Sequence, residues 1–520
     1  MSVSDTAAAL RSQGVQICFG VSGSGSSWQI ATALEDIGVS YHGAAHEAAA
    51  AIMAGAHARQ SGALGCSISI KGPGLANMAA GMLSNRYEQW PAVSLSEAYN
   101  PAVPSPRMHK RLDHRAVVAP IVKGYAAGND ARTIEGLARL AHSEIPGPVH
   151  LDFTESGGRI DCFETQSSRS GMQSKAWDEI RRRIDSARRP LLIAGSLATR
   201  SAWGSRLRDL GFPVFTTLAA KGVLDERLRM SAGVFTGDGK SLTPEAAIVA
   251  EADLIVGLGL RNLEVLTPRP FHAPLIGLDA AEDASLMDGF NPCANCSGAA
   301  AEHFDSILGA LALKSWGGDI VASSVGRLRT HLTRHEWLPG RVFSVLQKLM
   351  NESDCLVMDT GAFCTVAEHV WQASSTTAFM ASANGRFMGT AFPMAIGASL
   401  ARSLSRTLCV FGDGGIRPFW AEIKLAIAER LPILFVLMSD GRYGSIAAAA
   451  STPHLTDAAI NVPLPSWFRI AEAAGCPAEQ VSSVDGLERI ITAWQQTDGP
   501  CFVEAPFEPD AYAGMTRDIR

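Results

Sequence analysis

Short apolar runs that stop abruptly on a glycine-rich turn recur along the whole chain, and they constrain the fold more than any other feature. "VQICFGVSG", "LGCSISIKGPG", "ADLIVGLGL", "TLCVFGDGG" and "LPILFVLMSDG" each read as a buried strand running into a tight turn. Helix-like pieces lie between them, such as the alanine-rich "HEAAAAIMAGAHARQSG", closed by Gly62. Strands of this kind alternating with helices build βαβ units and parallel sheets. With 520 residues, 47% hydrophobic and 18% charged, the chain can bury about three such cores.

The alternation is interrupted twice, by the polar "ETQSSRSGMQSK" and by "LKSWGGDIVASSVGR", which both read as linkers. The expected layout is three doubly wound α/β domains with parallel sheets, at residues 1–165, 175–315 and 335–520. A net charge of -6 with no long basic block argues against nucleic acid as the main partner. The basic "RRRIDSARR" is read as a solvated helix face. The opening "MSVSDTAAALRSQG" lacks the features of a secretory signal, and the apolar run near "LPILFVLM" falls short of the ~20 residues of a bilayer span. A cytoplasmic protein acting on small molecules, away from membranes, is expected. Of ten cysteines only Cys293 and Cys296 form a C-x-x-C pair. With no second pair or close histidines, metal or redox use of that pair is not the favoured reading.

The chemistry concentrates at Asp413, held between Gly412 and Gly414 at the end of an apolar run. A helix from about Arg417 to Arg430 and a strand to Met438 complete one βαβ unit, and such units bind ligands at the carboxyl ends of their strands. The second strand ends in "SDGRYG", so Asp413 and Asp440 emerge at the same sheet edge, 24 residues (415 to 438) separating Gly414 from Ser439. Two carboxylates beside glycine-rich backbone and a helix N-terminus suit Mg²⁺ clamping a diphosphate. A helix cap plus a loop aspartate is the plainer reading of the same residues.

Gly412-Asp413-Gly414 followed at this spacing by Ser439-Asp440 and "GRYG" resembles the thiamine-diphosphate enzymes, in the branch with acetohydroxyacid synthase, benzoylformate decarboxylase and pyruvate decarboxylase. "FGVSGS", "HEAAAAIMAGAHARQSG", "KGPGLANMAAG", "PVFTTLAAKGV", "VGLGLRN" and "RFMGTAFPMAIGASLAR" are similar to further family segments and lie in the family's order over essentially the whole chain. The resemblance implies three domains, binding the pyrimidine, forming the centre and binding the diphosphate. It implies that Glu47 is the glutamate that bonds the pyrimidine ring, a task that suits a carboxylate of raised pKa. Met388 is then the apolar prop under the bent cofactor, and the Arg386 carbonyl receives the pyrimidine amino group. The Asp413 and Asp440 side chains and the Arg442 carbonyl become the Mg²⁺ ligands. Gly361, Gly414 and Gly415 let the backbone approach the diphosphate, and Tyr443 belongs to the same cofactor segment.

Departures from the family pattern bear on charge and substrate. Asp440 stands where an asparagine is usual, adding a negative charge that Arg386 and Arg442 are placed to offset. The adjacent histidines of pyruvate-type decarboxylases are missing near Ile70-Lys71. Ser24 looks like the serine that benzoylformate decarboxylase uses near its substrate carboxylate, and Lys71 reads either as a solvated loop lysine or as a partner for an anionic substrate. His46, His114 and Arg261 read as structural. The resemblance implies decarboxylation of a 2-oxo acid, releasing an aldehyde or passing the acyl unit to an acceptor. Carboligase or acyloin lyase chemistry is the alternative, and an inactive cofactor-binding paralogue is a reading of another class. A dinucleotide oxidoreductase is disfavoured because no G-x-G-x-x-G opens a helix. FAD or a nucleotide in the central domain is open but unsupported. The family further implies a homodimer or homotetramer with active sites at the subunit interface.

Overall fold

The computed structural model describes residues 3–23, 25–99, 109–153, 159–163, 174–298, 303–402, 405–449, 456–463, 465–517 and 519. Ser24 and most of "ETQSSRSGMQSK" lie outside the described residues.

Each apolar run does become a buried strand, and the strands sort into three sheets flanked by helices. The first sheet holds β1 (Ile17–Gly20), β2 (Ser40–Gly43), β3 (Gly65–Ser69), β4 (Ala92–Glu97), β5 (Gly124–Ala127), β6 (Pro148–Phe153) and β7 (Asp161–Cys162), in the order β2-β1-β3-β4-β6-β5-β7. Only β7 is antiparallel. The second contains β8 (Pro190–Ala194), β9 (Val214–Thr216), β10 (Ser231–Val234), β11 (Leu254–Leu258), β12 (Leu275–Asp279) and β13 (Ala294–Ser297), ordered β10-β9-β8-β11-β12-β13. The third contains β14 (Cys355–Met358), β15 (Phe379–Ala381), β16 (Thr407–Gly412), β17 (Ile433–Ser439), β18 (Ala478–Gln480) and β19 (Cys501–Pro506), ordered β15-β14-β16-β17-β19-β18. In this last sheet the chain leaves β14 toward β15 on one side and pairs β14 with β16 on the other. The carboxyl ends of β14 and β16 thus flank a topological switch point, where open parallel sheets bind ligands.

Two segments differ from the sequence expectation. The helix after Asp413 does not begin near Arg417: a short 3₁₀ turn, Trp420–Glu422, leads into a helix at Ile423–Ala428. Pro418 is the physical reason, because a residue preceding proline is driven out of the helical region. The expected second linker is largely a helix, Gly318–Thr333, with Val321, Leu328 and Leu332 buried along one face. Paired glycines at 317 and 318 read as a break, but Gly317 caps that helix and Gly318 opens it. No helix among the described residues is long and apolar enough to cross a membrane.

The first and third domains are joined through one helix, Glu47–Ser61, buried from Ala48 to Ala58. Its ends follow local rules: the His46 imidazole accepts a hydrogen bond from the Ala48 amide (3.0 Å), and left-handed Gly62 closes it. It packs against the helices Pro73–Glu88 and Ala391–Ala401. Gly81 and Gly397 let these helices touch it backbone to backbone, since a Cβ on Gly81 would collide with the Ala48 carbonyl and one on Gly397 with the Met53 carbonyl. The helix Ala391–Ala401 is in turn fixed by Asp359, just after β14, which accepts from the Gly389 amide at 2.8 and 2.9 Å. Burial pushes Asp359 up to about 7, against hydrogen bonds from the backbone at Gly389, Thr360, Ala391 and Thr390.

Gly397→Val is expected to cost about 1–3 kcal/mol or more, because the carbonyl it meets belongs to a buried helix that cannot retreat. Denaturant titration of the two proteins measures this. Asp359 sets a pH dependence of stability. An acid raised from 3.8 to about 7 on folding contributes stability that is complete below the lower value and is lost as pH rises through the higher one. Melting curves across that window should fall with pH in the wild type and fall less in Asp359→Asn.

Candidate active site

Strands β16 and β17 run parallel in register, Gly412 opposite Met438, so the residues that follow them leave the sheet side by side. Asp413 is buried and organises the neighbouring turn. Its Oδ1 accepts from the Ser439 hydroxyl (2.8 Å) and its Oδ2 from the amides of Asp440 and Gly441 (both 2.9 Å). The Asp440 Oδ1 accepts from the Arg442 amide at 3.2 Å. Burial raises the pKa of both carboxyls, and Asp440 reaches about 6, with the charge of Asp413 adding to the effect. The Arg442 guanidinium opposes this rise only in part, and its Nη1 is turned outward to Asp510 at 3.0 Å.

These groups line a cavity of about 220 Å³. Gly361, Met388, Asp413, Gly414, Gly415, Asp440, Arg442 and Tyr443, all singled out in the sequence, line it together with Phe363 and Tyr512. Gly415 must be glycine, since a Cβ there would run into the Asp359 carboxylate. Met388 is 45% exposed at this cavity, unusual for a large apolar side chain in a packed domain. Arg386, with a positive φ of 49°, is not among the lining residues. The fit to a metal-bound diphosphate rests on the donor set. Two carboxylates that resist ionisation because of burial and mutual repulsion are what a divalent cation relieves, and the low apolar wall leaves room beside them.

Every lining residue of that cavity lies between 360 and 512, and Glu47 is not among them. Glu47 is half-buried at the head of its helix, where its Oε2 accepts from Asn77 Nδ2 at 3.0 Å. Lys71 follows β3 and is committed to Glu97, Nζ to Oε2 at 2.9 Å, and Glu97 also accepts from the Ser27 amide at 3.0 Å. His114 is buried under the same turn: Gly72 N–H donates to its Nε2 (2.9 Å), so its Nδ1 carries the proton that bonds Asp152 (2.7 Å). Asp152 also meets His150 Nε2 at 3.1 Å and the Tyr125 hydroxyl at 2.9 Å. Burial would raise Asp152, but the two histidines outweigh it and hold the carboxyl below its ordinary range. Each member is already bonded within this cluster, which ties the Gly72-Pro73-Gly74 turn to the sheet.

In the central domain, polar groups at the carboxyl ends of the strands are bonded to one another. The Glu264 carboxylate accepts from the Ser196 amide and the Thr217 hydroxyl, both at 2.8 Å. Arg261 is buried and bonds Asp279 at 2.9 and 2.7 Å, Glu144 at 2.7 Å and Gln89 at 3.0 Å. These bonds give no support to a flavin or nucleotide in this domain. A larger cavity of about 490 Å³ at the junction of the domains is lined by Arg200 and Lys221, which pair with Glu144 and Glu226. Cys293 is exposed and its thiol donates to the Leu275 carbonyl, whereas Cys296 is buried in β13, so the two do not act as a pair.

Sequence reasoning missed Asp359, whose "VMDTG" repeats the strand-to-acid-to-glycine pattern of "VFGDGG" and could have been found by it. It also missed Glu88 and Glu422, for which no local signal exists.

Comparison with known proteins adds an independent line. Residues 3–105 match the thiamine pyrophosphate enzyme N-terminal TPP binding domain, 177–282 the central domain and 359–505 the C-terminal TPP binding domain. The chain is 25% identical over 535 residues to a catabolic acetolactate synthase of Raoultella terrigena, covering 96% of this chain and 93% of that protein. It is 25% identical over 520 residues to a probable 2-ketoarginine decarboxylase of Pseudomonas aeruginosa (95% and 92%) and 24% identical over 535 residues to an acetolactate synthase of Bacillus subtilis (95% and 91%). With all three domain models matched in order along a chain of three parallel-sheet domains, the protein belongs to the thiamine pyrophosphate enzymes.

Proposed function

We propose that this enzyme cleaves the bond between the carbonyl and carboxyl carbons of a 2-oxo acid, releasing carbon dioxide and either an aldehyde or an acyl unit passed to an acceptor. The observation that carries this reading is the cavity that gathers Asp413, Asp440, Arg442 and Met388 at the switch point of the third sheet, matched by Glu47 at the head of the N-terminal helix. When bound, thiamine diphosphate supplies the electron sink that such a cleavage needs. The Asp413 and Asp440 carboxylates and the Arg442 carbonyl hold Mg²⁺, and the backbone at Gly361, Gly414 and Gly415 approaches the diphosphate. Met388 would offer the cofactor an exposed apolar surface. Glu47 holds and returns a proton at the pyrimidine ring. A substrate carboxylate that used Lys71 would have to compete with Glu97, so Lys71 presents the substrate side with one half of a neutral pair.

Because the cavity is lined from one domain only and Glu47 lies elsewhere, we infer a homodimer, or a tetramer built from it, in which one chain supplies Glu47 to the other's cavity. The names of the relatives divide between a synthase and a decarboxylase, which keeps the carboligase outcome as the second reading. An inactive cofactor-binding paralogue has no need of Glu47.

Product analysis with thiamine diphosphate, Mg²⁺ and a panel of 2-oxo acids, with and without an acceptor aldehyde, tests the reaction. Aldehyde without acceptor is the expected result, and acyloin alone would sink simple decarboxylation. Glu47→Gln should lower turnover by about 10²–10⁴-fold while cofactor affinity stays within a few-fold. Retained turnover would remove Glu47 from the mechanism. Metal affinity should weaken as pH falls through about 6 in the wild type, since Asp440 must lose its proton to bind. In Asp440→Asn that pH dependence should flatten, and an unchanged profile would remove Asp440 from the ligand set.

A further inference from the structure

Two buried glutamates cross the boundary between the cofactor-binding domains in opposite directions. Glu88 ends the helix Pro73–Glu88 of the N-terminal domain and reaches the loop that leads from β15 to Met388. Its Oε1 accepts from the Ser382 hydroxyl (3.0 Å) and the Gly385 amide (2.9 Å), and its Oε2 from the amides of Ala383 (3.0 Å) and Asn384 (3.3 Å). The Ser382 hydroxyl in turn accepts from the Phe387 amide (2.9 Å), one residue before Met388. Glu422 lies in the C-terminal domain, in the turn after Asp413, and reaches the other way. The Ala45 amide donates to both of its oxygens (3.1 Å each) and the His46 amide to Oε1 (3.0 Å), directly ahead of Glu47.

We propose that Glu88 and Glu422 are reciprocal latches, each carried by one cofactor-binding domain and each positioning the other domain's cofactor-facing segment, Glu88 that of Arg386 and Met388, and Glu422 that of Glu47. The proposal rests on the reading of Glu47 and Met388 given above. Neither glutamate lines the 220 Å³ cavity, so both are positioning residues. Four donors on one carboxylate and three contacts on the other exceed what a chance interdomain contact makes. Burial pushes each carboxyl up to about 7 in spite of those bonds, so each site holds a group that is costly to bury. The helix that ends at Glu88 also carries Asn77, which bonds Glu47. Eleven residues separate Asn77 from Glu88, about 16 Å along a helix axis. One rigid rod therefore touches both segments that the latches hold.

The chemistry of the two latches differs in a way that tests them. A glutamine at 422 keeps one oxygen able to accept from both Ala45 and His46. A glutamine at 88 turns its NH₂ toward at least one backbone N–H whichever way it is placed, that of Gly385 on one side or those of Ala383 and Asn384 on the other. Backbone amide exchange on the full-length protein, read peptide by peptide, and equilibrium binding of thiamine diphosphate with Mg²⁺ should be compared for the wild type, Glu422→Gln, Glu422→Ala, Glu88→Gln and Glu88→Ala. We expect exchange at 45–46 to rise about tenfold in Glu422→Ala and to stay near wild type in Glu422→Gln. Exchange at 383–387 should rise in both Glu88 variants, with each effect confined to its own segment. Cofactor binding should weaken about tenfold in the Glu88 variants, whereas in Glu422→Ala, whose loosened segment carries Glu47, turnover at saturating cofactor should fall about tenfold with affinity within a few-fold. Unchanged exchange, or loosening spread evenly over both segments, overturns the latches. Segment-specific loosening with unchanged cofactor affinity in the Glu88 variants, or with unchanged turnover in Glu422→Ala, overturns their positioning role. A wild-type chain that binds no thiamine diphosphate overturns the functional reading and the positioning role together, while the exchange pattern still decides whether the latches exist. If an alanine variant fails to fold, the near-isosteric Glu88→Gln against Glu422→Gln contrast carries the test.

Discussion

The contact on which the rest depends is the backbone-to-backbone seating of the helix Glu47–Ser61 between two others. An alanine-rich helix buried all round has little side-chain volume to interlock, so its stability comes from close approach and many small contacts. Gly81 and Gly397 permit that approach, and no larger residue fits at either place. The consequence is functional as well as structural. The head of this helix carries Glu47, and the helix that presses on it through Gly397 begins just after Met388. A shift of one helix relative to the other would move Glu47 and the segment of Met388 together, and so couple the two sites to which one chain of the proposed dimer contributes.

Around that contact the molecule repeatedly spends buried carboxylates on backbone amides. Asp359 holds the Gly389 amide, Asp413 the turn at Ser439–Gly441, Glu88 the loop at 383–385 and Glu422 the strand-to-helix turn at 45–46. Burial raises the pKa of all four. Loops that must hold a ligand cannot be stiffened by apolar packing on the ligand's side, and Asp359, Glu88 and Glu422 fix them by accepting N–H groups from behind, outside the 220 Å³ cavity. Asp413 shows the economy most plainly, because the oxygens that would face a metal also turn the segment that brings in Asp440.

What was legible in the sequence follows from how far apart the interacting residues lie. The strands were readable because each is a local apolar run, and the Asp413–Asp440 pairing because a βαβ unit brings successive strand ends together by its topology. Glu47 and Met388 became legible only through family resemblance, since an isolated glutamate or methionine has no local signature. Glu88 and Glu422 were invisible because their partners lie 294 to 297 and 376 to 377 residues away. The helix after Asp413 starts later than its residue pattern suggests because Pro418 blocks an earlier start, and the helix at Gly318–Thr333 lies behind two glycines that mark its beginning rather than a break.

In the proposed mechanism, bound thiamine diphosphate has the proton on C2 of its thiazolium ring labilised by Glu47. The direct measurement is the rate at which solvent deuterium enters that C2 position when the cofactor and Mg²⁺ are bound, followed by rapid quenching and proton NMR. The account predicts exchange far faster than in free thiamine diphosphate for the wild type, and slowed by about 10²-fold or more in Glu47→Gln at saturating cofactor. Exchange at the free-cofactor rate in the wild type, or at equal rates in the two proteins, would contradict it.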